Sequence, residues 1–563
     1  MKKHSIQWIR AVLGRGQFRI LLLILLHGFN GFSGVLYALF LRSVVDSAAA
    51  GDTDGFVLAA VLIVALAGIQ IGVRTVIRFA EESARASFEN LFKRRLFTVL
   101  LKKDYAAVSS LHTGEWQNRL TNDCMVIANN LTDIFPGFAD MAVKLVSALI
   151  MMTALDARFL LILLPLGAVS GIFAFILRSR LKELHKEVQR RDGSLRVFFQ
   201  ERLSSLMMIR SFAAEKSSEV QADEKLREHR DARMKRLRFS NACSVGMQTA
   251  MQGMYLAGVC YCGWGILTGT ITYGTMTAIT QLITQIQAPF ANITNYIPKL
   301  YALTASAERL MEAEELADDS DSPARGIAEV REFYENRFEA LGLENVCFTY
   351  YPPAEDSGEL SKEAMPRVLK DVTLEIRKGE YVAFTGKSGC GKSTVLKLMM
   401  RIFAPDSGSV YVTADGEKTP LGTDMRRLFA YVPQGNMLMN GTIREIVSFA
   451  EPEAAGDEER IREALRIACA EEFVYALEDG IDTRLGERGT GLSEGQTQRI
   501  ACARAVFSGS PVMLLDEATS ALDSATEERL LRNLREMTDK TVVIVTHRPA
   551  ALAVCDKTVE FDR

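Results

Sequence analysis

The chain has 563 residues, 48% of them hydrophobic and 24% charged, with a net charge of −3. That length exceeds a single core, since one domain usually holds about 100–200 residues. The near-neutral balance excludes a bulk nucleic-acid binder, and the hydrophobic share directs attention to membrane spans. The nine cysteines lack metal-ligand or disulfide-framework spacing, which fits a reducing cytosol or a membrane interior.

At the N-terminus, Lys2, Lys3, Arg10, Arg15 and Arg19 alternate with Ile6, Trp8, Ile9, Val12 and Leu13. This predicts an amphipathic helix on the inner membrane face, with no cleavable signal peptide. Six apolar stretches follow, roughly 17–41, 56–80, 135–155, 159–178, 242–267 and 273–298, each near the ~20 residues a spanning helix needs. The second, fifth and sixth carry more Gly, Thr and Gln, as helices facing one another or a polar pathway do. Basic residues crowd the N-terminus, the connection after the second stretch (Arg85 to Lys103) and the one after the fourth (Arg178 to Arg238). The other loops are nearly free of Lys and Arg, so both termini and both long connections are expected in the cytoplasm. Residues 81–132 and 179–240 lack Pro and keep helical apolar spacing, which predicts helices continuing well beyond the membrane.

Two features inside the spans carry charge or polarity. Asp140 and Lys144 are four residues apart, a spacing that lets them pair on one helix face. They are either a functional pair, as intramembrane ionisable groups are by default, or a structural or interfacial one. The sixth stretch is polar along Thr277, Thr280, Gln281, Thr284, Gln285, Gln287, Asn292 and Asn295, with Pro289 expected to kink it. Its polar groups either line a substrate path or make hydrogen bonds between helices.

An acidic stretch, Glu312–Asp321, reads as a loose linker leading to Ser322-Pro323. From Phe338 the pattern turns to short strands, turns and helices. Gly386-Lys387-Ser388-Gly389-Cys390-Gly391-Lys392-Ser393-Thr394 follows the strand Tyr381–Thr385 and opens a helix. It has the spacing of a phosphate-binding loop, whose glycines let backbone N–H groups close on phosphate oxygens. Gly386, Ser388, Gly389, Cys390, Gly391, Lys392, Ser393 and Thr394 are therefore expected around the nucleotide. Lys392 would reach the β- and γ-phosphates and Ser393 would ligate Mg²⁺. The apolar strand Pro511–Leu515 ends in Asp516 and Glu517. Asp516 is expected to hold the Mg²⁺ shell and Glu517 to activate the attacking water. A further strand, Thr541–Thr546, ends at His547, which by position alone is either structural or a hydrogen-bond partner for a γ-phosphate.

Gly491-Leu492-Ser493-Glu494-Gly495-Gln496 resembles the LSGGQ signature of ATP-binding-cassette (ABC) proteins, with Glu494 in place of the first glycine. The resemblance implies that Ser493, Gly495 and Gln496 contact ATP, and that His547 is the switch histidine. Tyr350 resembles the adenine-stacking aromatic residue. Gln434, in Tyr431-Val432-Pro433-Gln434, resembles the glutamine that touches Mg²⁺ and links ATP to the membrane domain. Glu487 resembles part of an exporter-specific loop, and Asp523 the aspartate that crosses the dimer interface. Thr113 to Asp123 resembles the start of the third exporter helix. Residues around Asp104–Leu111 and Glu201–Ser211 then fall where two coupling helices belong. Residues 352–366 form an insertion without a family counterpart.

The expected architecture is multi-domain. An all-α six-helix transmembrane domain with long cytoplasmic extensions (1–310) leads through a linker (311–337) to an α/β P-loop nucleotide-binding domain (338–563). The resemblance implies a half-transporter in the cell membrane that hydrolyses ATP with Mg²⁺ and pairs with a second half, as homodimer or heterodimer. Export of amphipathic drugs, lipids or peptides is expected, with uptake, as of siderophores, the competing direction. Membrane lipids are partners; nucleic acid is not.

Overall fold

The computed structural model describes the backbone of residues 2–319, 324–350, 366–435, 438–486, 491–537 and 539–561. Side chains are described for the same residues, apart from 2–3, 159–178, 288–295 and 297. All of the insertion 352–366 but its last residue, together with Ser322-Pro323 and Glu487, lies outside the described residues. The chain forms two compact units. The first comprises Met1–Arg95 and Arg119–Met311; the second comprises Leu96–Asn118 and Glu312–Arg563.

The described residues up to Glu315 form ten α-helices. They are α1 (Lys2–Leu13), α2 (Gln17–Ala50), α3 (Thr53–Leu100), α4 (Tyr105–Ser109), α5 (Thr113–Asn118), α6 (Cys124–Asp156), α7 (Leu160–Ser204), α8 (Leu206–Ser211), α9 (Glu215–Leu267) and α10 (Tyr273–Glu315). The expected extensions are real: α3, α7 and α9 run for 48, 45 and 53 residues, roughly twice what a bilayer requires. Among the described residues, His4–Ala50, Thr53–Leu100 and Thr113–Asp156 are long and apolar enough to cross a membrane. Their apolar side chains are widely exposed, including Phe18, Leu25, Val64, Ile71 and Phe79, as lipid-facing positions are. The expected fourth span coincides with side chains outside the described residues. The fifth and sixth lie within α9 and α10.

Within the first unit, small residues bring backbones together. A Cβ at Gly31 of α2 would meet the Asp140 carbonyl oxygen of α6 at 2.8 Å. Lys144 and Asp140 do pair, at 2.6 Å, and Asn30 of α2 donates to the other Asp140 oxygen at 3.1 Å. In the polar stretch of α10, Thr277, Thr280 and Thr284 bond back to their own helix. Gln285 instead donates to the Gly34 carbonyl of α2, and Gln287 to the Met251 carbonyl of α9. These amides join helices. Asn292, Asn295 and the ring of Pro289 lie outside the described side chains. The stretch read as a loose linker is partly helical, because α10 runs through to Glu315.

The second unit contains α11 (Ile327–Asn336) and the strands β1 (Phe338–Phe348), β2 (Leu369–Arg377), β3 (Tyr381–Thr385), β4 (Ser407–Ala414), β5 (Glu417–Pro420), β6 (Phe429–Val432), β7 (Gly441–Thr442), β8 (Arg484–Leu485), β9 (Val512–Asp516), β10 (Thr541–Val545) and β11 (Lys557–Glu560). Besides α4 and α5, its remaining α-helices are α12 (Lys392–Met399), α13 (Ile443–Val447), α14 (Glu458–Ile467), α15 (Glu471–Tyr475), α16 (Glu494–Phe507), α17 (Ser524–Glu536) and α18 (Pro549–Val554). One sheet is antiparallel, in the order β2-β1-β4-β5. A small second one pairs β7 with β8, and the third is parallel, in the order β11-β3-β10-β9-β6. Its central strands are apolar on both faces. Val512 and Leu514 of β9 enter one hydrophobic cluster with Val395 and Leu396 of α12. Met513 and Leu515 enter another with Ile500 of α16 and Leu530 of α17. Continuous apolar strands are what a parallel sheet covered on both faces requires.

Candidate functional site

All parallel strands of this sheet end on one edge, so the loops that follow them converge there. In register, Val545 of β10 lies opposite Phe384 of β3 and Asp516 of β9, and Val432 of β6 lies opposite Leu515. The loops beyond those positions carry Gly386–Gly391, His547, Glu517 and Gln434. The strand and helix expected around the phosphate loop are both present, with α12 starting two residues early, at Lys392.

The loop needs glycine at two places for steric reasons. Gly386 has φ 124°, and a Cβ there would lie 2.3 Å from the Phe561 carbonyl oxygen. Gly391, at φ 104°, would press on Leu369 at 2.5 Å. Lys387, Ser388 and Gly389 are exposed, whereas Cys390 and Gly391 are buried. Lys392 is also buried and donates to the Gly386 and Lys387 carbonyls at 2.6 and 3.0 Å, which holds its ammonium inside the curl of the loop. Ser393 donates to Asp516 at 2.9 Å, and the Tyr431 hydroxyl donates to the other Asp516 oxygen at 3.2 Å. Asp516 is 2% exposed. Burial pushes its carboxyl above the usual aspartate range, and the Ser393 and Tyr431 hydroxyls pull the other way.

Glu517 follows in the left-handed region, at φ 51°, where a side chain other than glycine is strained. Its N–H donates to the Val545 carbonyl at 3.2 Å, and its Oε2 accepts from Gln434 Nε2 at 2.7 Å. His547 stands exposed just past β10. Tyr350 bonds Thr394 at 3.1 Å, beside the loop.

The donor set suits Mg²⁺: a hydroxyl, a buried carboxylate and an amide oxygen are hard ligands. Among the described residues no cluster of three or more His, Cys, Asp or Glu could hold a metal on its own.

The signature segment starts α16. Ser493 is its N-cap and forms a capping box with Gln496: Gln496 N–H donates to Ser493 Oγ at 3.3 Å, and Ser493 N–H to Gln496 Oε1 at 2.8 Å. Glu494 lies exposed in the first turn, where a negative charge favours the helix dipole. Gly495 is required by its neighbour, since a Cβ would meet the Ala521 carbonyl oxygen at 2.8 Å. Asp523 caps α17 by accepting from the Thr526 N–H at 2.9 Å, a bond that holds its carboxyl below the usual range.

Three residues that the motifs left unmarked tie these parts together. Tyr431 reaches Asp516, as described. Buried Gln498 bonds Ser520 and the Ala521 N–H. Arg548, next to His547, bonds the Ser520 and Leu522 carbonyls and Glu527. Only the Tyr431 position carried a sequence signal, three residues before Gln434.

Comparison with known proteins agrees with this edge. Residues 19–290 match the ABC transporter transmembrane region and residues 369–520 the ABC transporter domain. YgaD of Bacillus subtilis (strain 168), provisionally named a multidrug export ATP-binding/permease protein, is 30% identical over 84% of this chain and 78% of its own. The chain belongs to the ABC transporter family. An ATP-dependent lipid A-core flippase of Mannheimia succiniciproducens is 26% identical over 94% of this chain and 88% of its own. A solved bacterial Atm1-family ABC exporter with ATP bound shares the fold. Its TM-score is 0.77 at 21% identity, covering 98% of this chain and 94% of that one. The chain is thus an ABC exporter-type transporter whose C-terminal domain is an ATPase coupled to transport.

Proposed function

We propose that this transporter exports amphipathic drugs, lipids or peptides across the cell membrane, as a dimer working by alternating access with both termini in the cytoplasm. The observation that carries the reading is the convergence of Lys392, Ser393, Asp516, Glu517, Gln434 and His547 on one sheet edge, in a chain whose first unit exposes apolar helices. In this reading Lys392 and the loop N–H groups hold the phosphates of ATP. Ser393, Asp516 and Gln434 would hold Mg²⁺, which would supply positive charge to offset the phosphates' negative charge. Glu517 accepts the proton of the attacking water and Gln434 orients it, with His547 at the γ-phosphate. Tyr350 stacks on adenine. Ser493, Gly495 and Gln496 serve the nucleotide of the second half, with Asp523 at the interface between halves.

The test is Mg²⁺-dependent phosphate release by the chain alone in lipid nanodiscs, against Glu517→Gln. Activity that the substitution removes, with ATP binding retained, supports a self-sufficient homodimer. Activity unchanged in Glu517→Gln sinks the catalytic assignment. A wild type that binds ATP but releases no phosphate points to a heterodimer.

A further inference from the structure

Residues Leu96–Asn118 join two helices of the first unit, yet they belong to the second. Two attachments hold α4 there. One is polar: Asp104 N–H donates to the Ala317 carbonyl at 2.9 Å, and Asp319 N–H to the Lys102 carbonyl at 3.0 Å. Lys103 bonds the Glu314 and Leu316 carbonyls and Asp318, and Arg426 grips Asp319. The other is aromatic. Tyr105, the first residue of α4, meets Phe403 edge-on with ring centres 5.5 Å apart. Phe403 meets Tyr350 edge-on, also at 5.5 Å, and Phe348 at 5.6 Å. Phe348 in turn abuts Tyr350 at 4.9 Å. Edge-to-face rings prefer particular angles, so the Tyr105–Phe403, Phe403–Tyr350 and Phe348–Tyr350 pairs fix orientation as well as position, while Phe348 lies tilted against Phe403.

We propose that Tyr105, acting through Phe403, is a positioning residue for Tyr350, so that α4 and the nucleotide base are energetically linked. The inference rests on the reading of Tyr350 as the base-stacking residue. Without the Tyr105 ring, Phe403 loses one of its walls, and Tyr350 loses the support that presents its face to the base. Linkage is reciprocal: if α4 improves base binding, base binding must steady α4 by the same factor.

The experiment uses the full chain in lipid nanodiscs. Tyr105→Leu and Phe403→Leu are expected to raise KM for ATP about 3–10-fold, the size of one or two aromatic contacts, with kcat within about twofold. Tyr105→Phe keeps the ring and should restore the wild-type KM. Tyr105 is half-exposed, so its replacement does not put the fold at risk. In the reverse direction, ATP bound to Glu517→Gln should slow amide hydrogen exchange across Tyr105–Ser109. Inorganic triphosphate, which has no base, should not, and Phe403→Leu should remove the ATP effect. If Tyr350→Ala raises KM but Tyr105→Leu and Phe403→Leu leave it unchanged, the link is overturned and the stacking assignment stands. If Tyr350→Ala itself leaves KM unchanged, both fall. A drop in kcat at constant KM would make the aromatic contacts merely structural and would also overturn the proposal.

Discussion

The phosphate-loop edge and the signature helix are both nucleotide elements of one domain, yet they treat their polar atoms differently. At the sheet edge the reactive groups hold one another: Ser393 and Tyr431 hold Asp516, Gln434 holds Glu517, and Lys392 holds its own loop. Each bond joins two groups that could trade partners for phosphate, metal or water. At the signature, Ser493 and Gln496 satisfy each other as an N-terminal cap, and Glu494 points to solvent. That end is a finished helix terminus, and little in it changes when the chain stands alone. The difference explains how Glu494 is tolerated. A carboxylate in the first turn of a capped helix is electrostatically favourable, whereas one among the groups around Asp516 would be repelled.

Five measurements break or sharpen this contrast. The largest effect is expected at the sheet edge: Glu517→Gln should lower ATP turnover by about 10²–10⁴-fold, the usual worth of a positioned general base. Loss below tenfold would place the base elsewhere. Next, Tyr431→Phe keeps the ring but removes a hydroxyl bond to a carboxylate, a bond to charge worth about 1.5–3 kcal/mol. The Mg²⁺ concentration for half-maximal turnover should rise about tenfold while ATP affinity in EDTA stays unchanged. Equal loss of both would make Tyr431 a packing residue. At the signature, Ser493→Ala should cost about 1 kcal/mol of domain stability through the lost cap, read as a lower unfolding midpoint. Glu494→Gly should cost only a few tenths to 1 kcal/mol.

The smallest effect concerns Asp523. Its carboxyl is held below the ordinary range by the Thr526 N–H, so its ionised form is favoured in the folded state. The stabilisation is present above the unfolded-state pKa and is lost as pH falls through the lower folded-state value. The unfolding midpoints of wild type and Asp523→Asn should therefore differ most near neutral pH and converge in acid. A difference that persists or grows in acid would contradict the bond.

Much of the site was legible because its chemistry is local. A run such as Val512–Leu515 that stops at Asp516 is a buried strand with a carboxylate at its tip, whatever surrounds it. The phosphate loop is a contiguous segment whose strand and helix flank it in sequence. Asp140 and Lys144 were legible as a pair because four residues make nearly one helical turn. Asn30, which completes that pair, is 110 residues from Asp140 and gave no sign. Gln498 and Arg548 were equally silent, and Tyr431 was marked only by its place three residues before Gln434. The partners of Tyr431, Gln498 and Arg548 lie 85, 22 to 23 and 21 to 28 residues away, and only the folded chain brings them within reach.

The polar stretch of α10 makes the same point from the membrane side. Its composition allowed either a substrate path or bonds between helices. The Gln285 and Gln287 amides turn out to close on carbonyls of α2 and α9, a choice made by which helices pack beside them. The loose linker was misread at its start because acidic composition suggests exposure, and a helix can be both acidic and exposed.

By itself, then, the order of residues determined that a helical membrane-type region precedes a parallel-sheet ATPase, and which loops carry its chemistry. Those properties depend on hydrophobic period, strand length and contiguous motifs, all of them short-range. Tertiary structure alone decided that Tyr431 holds Asp516, that Gln434 meets Glu517, and that Tyr105 packs through Phe403 on Tyr350. Each of these is a contact between side chains whose separation is set by the packing of the whole unit, and local sequence carries no record of it.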